Sequence, residues 1–386
     1  MATLTEQIDT MDASQAEIRE MFAGQERAGR RAGDPDYERR LVEAWQFVRN
    51  VESGRRPLWQ LREALSTSDF PNLFGDILQR QLLDRYDEWP TTWDRVARRS
   101  TVPDFRTVKR FAVDGAEGQL DEVAERAEYP EADVSDSADE LSVTKYGRRI
   151  DLSWESMVND DLDAFRTLPD RLARGARRTE ERKVTELYVD SSGPHGSLYT
   201  AGRDNIISSN PTLDVSGLQS GFTALANMTD EDDEPILIEA VELVVPPALE
   251  VTAQNVLNAI HIDASEAGGT SNQTVRAQNW MRGRVRLTVN PYISQIATSN
   301  AATSWFLFAN PQGGRPALEA AFLSGNEQPS LWRKLPNATP VGGGGEPMED
   351  FATDSIAWRV RHVFGTARLV NTGGWRATVA SDGSGS

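Results

Sequence analysis

The chain is 386 residues long and acidic, with 59 Asp and Glu against 41 Lys and Arg, a formal net charge of -18, and no cysteine. That length allows two or three compact units, and the missing thiols exclude disulfides and thiolate metal sites and fit cytosolic synthesis. No apolar run reaches the roughly 18 residues of a membrane span, the Met1–Glu6 start lacks the basic and apolar regions of a secretory signal, and so acidic a chain cannot wrap nucleic acid by phosphate neutralisation, although it could enclose DNA without adhering to it.

Residues 1–66 read as helical. Thr3-x-x-Glu6 and Ser14-x-x-Glu17 are capping-box patterns. Tyr37, Leu41, Trp45 and Val48 recur at helical spacing, and Gly24, Gly29 and Gly33-Asp34-Pro35 separate the two segments. Residues 67–106 begin with a helix carrying Ile77, Leu78, Leu82, Leu83 and Tyr86 that Pro90 ends. The stretch to Phe105 is aromatic with little period, as an arm draped over another surface would be. Phe70, Phe74, Tyr86, Trp89 and Trp93 are its candidate clasping residues.

Between Asp114 and Glu140 the chain places eleven acidic residues against one base, Arg126. Alternating segments at Phe105–Val113 and Leu141–Tyr146 flank this stretch, which gives residues 107–147 the pattern of an extended hairpin with a long acidic loop. A loop longer than about 15 residues inside a compact domain is usually functional or disordered. This one is too polar to form a core and needs a neighbour to lie on. Its candidate contact residues are Glu117, Asp121, Glu122, Glu125 and Glu128. The apolar phase flips near Tyr146-Gly147, which predicts a bulge or bend.

Residues 148–234 contain a long helix from about Leu168 to Val189. Leu168, Leu172, Ala176, Val184, Leu187 and Tyr188 form its apolar stripe. Arg171, Arg174, Arg177, Arg178 and Arg182 occupy another face, and Arg171, Arg174, Arg178 and Arg182 are the candidate basic partner for the acidic loop; contact with enclosed DNA is the other use for them. Residues 235–302 read as a separate α/β unit. Its strands are Ile236–Ile238 and Val241–Val245, and its helix opens at Pro246-Pro247 with Leu249, Ala253, Val256 and Ile260 on one stripe. A loose loop from Asp263 through Asn272 to Gln278 follows, then a strand with Val285, Leu287 and Val289. In residues 303–386, Trp305–Phe308, Ala317–Leu323 and Ile356–Val363 are strands, Gly342–Gly345 is a loop tip, and the tail after Ala380 is linker-like.

Chemistry is sparse. His195, His261 and His362 lie in unrelated segments without zinc spacing. Gly24-x-x-x-x-Gly29-Arg30 lacks the Lys-Ser/Thr and the preceding strand of a phosphate loop. Thr229–Glu234 lacks the mid-loop glycine and final glutamate of an EF-hand and reads as a solvated charge run. No carboxylate pair is placed for glycoside hydrolysis. No catalytic, cofactor or metal site is expected.

The order of these parts resembles the major capsid proteins of tailed phages, the Hong Kong 97-type α+β fold, and the wording is similar to its Mu-type head-subunit branch. The residues that carry this are Thr67-Ser68-Asp69-Phe70-Pro71, Tyr86 with Pro90, Asp104-Phe105, Glu128-Tyr129, Lys145-Tyr146-Gly147, Ser153-Trp154-Glu155, and Asn159-Asp160-Asp161-Leu162 with Phe165 and Pro169. Val245–Glu250, Trp305–Pro311 and Phe322–Gly325 complete the pattern, which covers about residues 67–380. The resemblance implies an N-arm (67–106), an E-loop (107–147), a peripheral domain with a spine helix (148–234), an axial domain (235–302) and a return to the peripheral domain (303–386). Residues 1–66 would be a scaffold-like element.

It further implies self-assembly into pentamers and hexamers of an icosahedral shell around DNA, with Asp263, Asn272 and Gln278 near the symmetry axes. Portal, scaffold, maturation protease and cement proteins would be the partners, and membrane would not. Some relatives cross-link an E-loop lysine to a neighbour's asparagine. Here no lysine lies between Lys109 and Lys145, so no such bond is expected at the loop tip. Two other readings compete. An encapsulin-type compartment shares the fold, and a soluble acidic hydrolase would need a convergent nucleophile or carboxylate pair.

Overall fold

In a computed structural model of the chain, the described residues are 46–47, 50, 55, 70–114, 123, 135–153, 163–236, 238–259, 261–265, 274–334 and 355–385. The expectations for Gly342–Gly345, for the Asn159–Leu162 turn and for nearly all of 1–66 lie outside them. Gln46 and Phe47, within the 37–48 pattern, are helical, and so is Asn50 beyond it.

The main elements, in chain order, are α1 (Phe70–Glu88), β1 (Ala97–Val102), β2 (Val108–Asp114), β3 (Ser135–Leu141), β4 (Thr144–Ser153), α2 (Asp163–Tyr188), α3 (Val215–Ala226) and β5 (Ala240–Val245). They continue with α4 (Glu250–Asn258), β6 (His261–Ser265), β7 (Thr274–Gln278), β8 (Arg286–Val289), α5 (Tyr292–Ile296), β9 (Trp305–Ala309), β10 (Leu318–Leu323), β11 (Ser330–Arg333), β12 (Ser355–Arg368) and β13 (Thr378–Ser381). The architecture is α+β. Two units share the chain, one comprising Met1–Trp89, Tyr146–Ala176 and Gln328–His362, the other Pro90–Lys145, Arg177–Glu327 and Val363–Ser386.

In the first unit, Leu82, Leu83 and Tyr86 recur at helical spacing along α1 and bury one stripe. They meet Leu172, Ala173 and Ala176 of α2 and Trp358 and Val360 of β12. Each of the leucine and valine side chains contributes about 1.5–3 kcal/mol by burial. The Tyr86 ring stands edge-on to His362 at 5.9 Å. β11 runs antiparallel to β12, with Leu331 opposite Val360. The Gln79 amide of α1 covers β11: it donates to Pro329 O at 3.1 Å and accepts from Leu331 N at 2.5 Å. β4 pairs with β12 as well. At Gly147 a Cβ would sit 2.7 Å from Val360 O, so glycine permits the approach of the two backbones. The break expected near Tyr146-Gly147 falls earlier, at Ser142-Val143 between β3 and β4.

In the second unit, β1 lies parallel to β10, and β10 runs antiparallel to the end of β12. The residues before Phe105 are thus not merely draped. Ala97–Val102 is a sheet strand, and Val102 shares a core with Leu141, Val143, Ala321, Val363 and Ala367. A four-stranded sheet has the order β8-β5-β9-β13, with β5 parallel to β8 and β9 antiparallel to both β5 and β13. β5 and β8 of 235–302 therefore share a sheet with β9 and β13 of 303–386, while β6 and β7 pair with each other. Two short strands bury too little to form a core.

Of the two strands expected at Ile236–Ile238 and Val241–Val245, the second is β5, and Ile236 and Ile238 lie outside any strand. α3, with Asp214 accepting from Gly217 N at 2.6 Å as its N-cap, covers this sheet through Leu218, Phe222 and Leu225, and α4 through Ala253 and Leu257. At Gly221 a Cβ would lie 2.8 Å from Leu307 Cδ1, which sets how closely α3 approaches. Tyr188 packs edge-on against Phe306 and Phe308 at 5.1 and 5.3 Å. The tail is not linker-like. β13 is buried, Thr303 Oγ1 donates to Asp382 O at 2.6 Å, and Gly385 N donates to Asn210 O at 2.8 Å.

Candidate assembly surfaces

The hairpin of β2 and β3 pairs Arg110 with Asp139, Phe111 with Ala138 and Lys109 with Glu140. Alternation sends Arg110 and Asp139 to one face and Phe111 to the other. The inward pair anchors the hairpin at two buried carboxylates. Glu319, fully buried in the apolar run of β10, accepts from Arg110 Nε at 2.9 Å and its Nη2 at 2.6 Å, from Arg98 Nη2 at 2.9 Å, and from Ser100 Oγ. Burial alone would raise the Glu319 pKa; the donated bonds from Arg110, Ser100 and Arg98 outweigh it and hold the carboxyl below its usual range.

Asp139, also buried, accepts from Asn371 N at 3.0 Å, Thr372 N at 2.9 Å and Thr372 Oγ1 at 2.7 Å. The outward face carries Phe111, 66% exposed, an aromatic ring offered to solvent. The five acidic residues named for the loop (Glu117, Asp121, Glu122, Glu125 and Glu128) lie outside the described residues. The second arm of the hairpin is Ser135–Leu141 rather than the expected Leu141–Tyr146, because acidic Asp136, Asp139 and Glu140 mask its alternation.

The segment that leads into the hairpin is held by α2. Glu181 accepts from Thr92 Oγ1, from Thr92 N at 2.9 Å and from Trp93 N at 3.3 Å. Glu180 accepts from the Trp93 indole at 3.1 Å. Burial pushes the Glu181 carboxyl up despite these donors. Asn290 ties the group together, donating to Thr185 Oγ1 at 2.9 Å and Tyr188 Oη at 2.8 Å.

These contacts correct the clasp expectation. Tyr86 and Trp93 are buried within their own chain, and Trp89 lies beneath the Arg174 guanidinium at 4.7 Å. An amphipathic helix and a half-apolar turn bury their aromatics at home when a core is available. Of Phe70 and Phe74 the backbone is helical and the side chains lie outside the described residues.

On α2, Arg174 pairs with Asp170 at 2.5 Å, Arg177 with Glu180 at 3.3 Å and Arg182 with Glu186 at 3.0 Å. Arg171 and Arg178 are exposed. The acids were interleaved at i±3 and i±4 in the sequence, and reading the arginines alone missed the pairing.

The Asp263–Gln278 segment is a hairpin rather than a loose loop. Asp263 of β6 stands opposite Arg276 of β7, and Gln278 opposite His261. Asn272 lies outside the described residues. Asp230 in the Thr229–Glu234 run accepts from Asp232 N and Glu234 N, a local turn. Among the described residues no group of His, Asp and Glu is placed to hold a metal, and no helix is long and apolar enough to cross a membrane.

A family of phage capsid proteins matches residues 138–381, more than half of the sequence. The chain belongs to this family. It is a capsid shell protein, and self-assembly into the shell is its role. No curated protein sequence matches it. Among solved structures it is similar to the capsid of Ralstonia phage GP4 (12% identity, TM-score 0.48, covering 72% of this chain and 84% of that one). It is also similar to a chain of Mycobacterium phage Patience (12%, 0.45, 82% and 90%) and one of Microbacterium phage Oxtober96 (12%, 0.45, 76% and 91%). The family membership rests on the sequence match.

Proposed function

We propose that the chain is the major head subunit of a tailed phage, of Hong Kong 97 type and Mu-type branch, and that it forms pentamers and hexamers of an icosahedral shell enclosing double-stranded DNA. The observation that carries this is the hairpin. Two buried carboxylates fix its base, while its outer face carries Phe111 and its tip sequence is acidic. An element anchored at one end and unable to form its own core is suited to lie on a neighbouring subunit.

The subunit interfaces would be obligate, in the range of roughly 2,000–5,000 Å², driven by apolar burial and offset by association entropy. The His261–Gln278 hairpin would crowd the symmetry axes. Net negative charge would keep DNA from adhering to the wall. Assembly would take place in the bacterial cytoplasm with a portal, a scaffold or maturation protease, and a cement protein. The 1–66 segment would be the internal scaffold-like element. The subunit would have no enzymatic role and no cofactor.

Electron microscopy of the expressed chain tests this. DNA-sized icosahedra or five- and six-fold capsomers are expected; small cargo-filled shells would favour an encapsulin, and monomers would overturn the reading. Intact mass of subunits from mature particles shows whether 1–66 is removed. Denaturing gels are expected to show single subunits rather than a covalent ladder.

A further inference from the structure

The first unit carries an arginine–tryptophan platform on the face of its sheet opposite the core. Leu331, Trp358 and Val360 point into the core, so alternation puts Trp332, Arg359 and Arg361 on the other side. Trp332 stands directly opposite Arg359, and Arg361 is opposite Ser330. The indole donates to Ser330 Oγ at 2.9 Å, which orients the ring. The Arg361 and Arg359 guanidinium carbons lie 4.7 and 5.7 Å from the ring centroid, within cation–π range. The ring is 43% exposed, high for a tryptophan. Guanidinium groups already ordered by an aromatic face lose less entropy when they bind an anion.

We infer that this platform receives the acidic segment 115–134 of a second copy of the chain; the inference rests on the shell reading above. Two observations select the occupant. First, the segment holds seven acidic residues and one base, on a chain that is acidic overall; it is the complement of a platform built on Arg359 and Arg361. Secondly, Gln79 covers the backbone of β11 at Leu331 and Pro329, so an incoming chain docks through its side chains and not as an added strand. The aromatic faces are turned to guanidinium groups, which favours carboxylates over stacked nucleobases.

The test uses assembled particles of Arg359→Lys, which keeps the charge and adds an amine to a chain with only four lysines. A mixture of isotopically labelled and unlabelled subunits is assembled and treated with a carbodiimide. The expected product is an amide between position 359 and a carboxylate of 115–134, formed between labelled and unlabelled chains. Arg359→Glu with Arg361→Glu is expected to lower particle yield or salt tolerance about tenfold, as loss of interfacial charge pairs does, and Glu122→Lys with Glu125→Lys in the same chain to restore part of it. Particles that form but give no such cross-link, or give it only within one chain, overturn the inference. So does a double reversal that changes DNA retention and leaves shell stability intact. A wild-type chain that forms no particles fails the shell reading instead.

Discussion

Glu319 and Glu242 are both fully buried acids inside apolar strands of the second unit, yet burial has left them in opposite electrostatic states. At the hairpin base, Glu319 receives four bonds from Arg98, Arg110 and Ser100, whose arginine side chains are only 32% and 28% exposed. Its carboxyl is held low. In the four-stranded sheet, Glu242 accepts from Thr288 Oγ1, with Arg286 Nε at 3.2 Å and Arg95 Nη1 at 3.6 Å, but those arginines are 66% and 43% exposed. Its Oε2 meets Arg286 Nε as an ion pair at 3.2 Å but accepts no hydrogen bond among the described residues, and burial pushes its carboxyl up. A buried charge is retained cheaply only where its partners are ordered and desolvated with it. The hairpin base meets that condition and the sheet does not, which marks the hairpin base as the region where charge fixes geometry.

The largest expected effect is at Glu319. Glu319→Ala leaves Arg98 and Arg110 facing a buried hole and is expected to cost about 2–4 kcal/mol. Denaturant unfolding measures the loss, and hydrogen exchange should show the amides of 108–114 and 135–141 opening first. Uniform loss of protection across both units would mean that Glu319 supports the core and not the hairpin.

Gly365 is next. A Cβ there would collide with the backbone oxygen of Ser142, which the chain brings against β12 just after the hairpin. Gly365→Ala is expected to cost about 1–3 kcal/mol by overpacking, again with the hairpin amides most affected. Asp139→Ala removes the acceptor for two backbone N–H groups and one hydroxyl. It should cost about 1–2 kcal/mol and leave the four-stranded sheet unchanged by hydrogen exchange.

Much of this was legible in the sequence. The periodicity of Leu82, Leu83 and Tyr86 and of Leu172 and Ala176 placed two helices, and the unbroken apolar run Trp305–Phe308 placed a central strand. The hairpin was visible because period-2 alternation brackets an acidic stretch. What failed had physical reasons. Ala97–Val102 (Ala-Arg-Arg-Ser-Thr-Val) has apolar residues only at its ends, because its neighbour β10 supplies the apolar surface, so it reads as an arm. The tail after Ala380 has loop composition, and it is fixed by contacts with distant residues: Ser381 pairs with Trp305 and donates to Pro211 O, Thr303 Oγ1 donates to Asp382 O, and Gly385 N donates to Asn210 O. Glu319, Glu242 and Asp139 were missed as site residues, although a single acid within Leu318-Glu319-Ala320-Ala321-Phe322 or Ala240-Val241-Glu242-Leu243-Val244 is a signal: an acid there needs a partner.

The smallest effect sharpens the contrast most, because its sign reverses. Glu319→Gln should destabilise at neutral pH, since it removes the charge that Arg98 and Arg110 bind. Glu242→Gln should be neutral or stabilising by under about 1 kcal/mol, since it removes a poorly compensated charge and the mostly exposed arginines recover solvent. The pH dependence follows. The folded pKa of Glu319 lies below that of the unfolded chain, about 4.3, so its contribution is complete above that value and is lost as pH falls through the depressed folded pKa. Glu242 titrates above its unfolded value, so its burial cost is complete above the raised folded pKa and is relieved as pH falls from there toward about 4.3. The two Gln variants should therefore start on opposite sides of wild type at pH 7. Glu242→Gln should converge on wild type first, above pH 4.3, and Glu319→Gln only below it. Thermal unfolding across pH 3–7 reads both, and convergence in the same window would show that the two sites do not differ as their geometry requires.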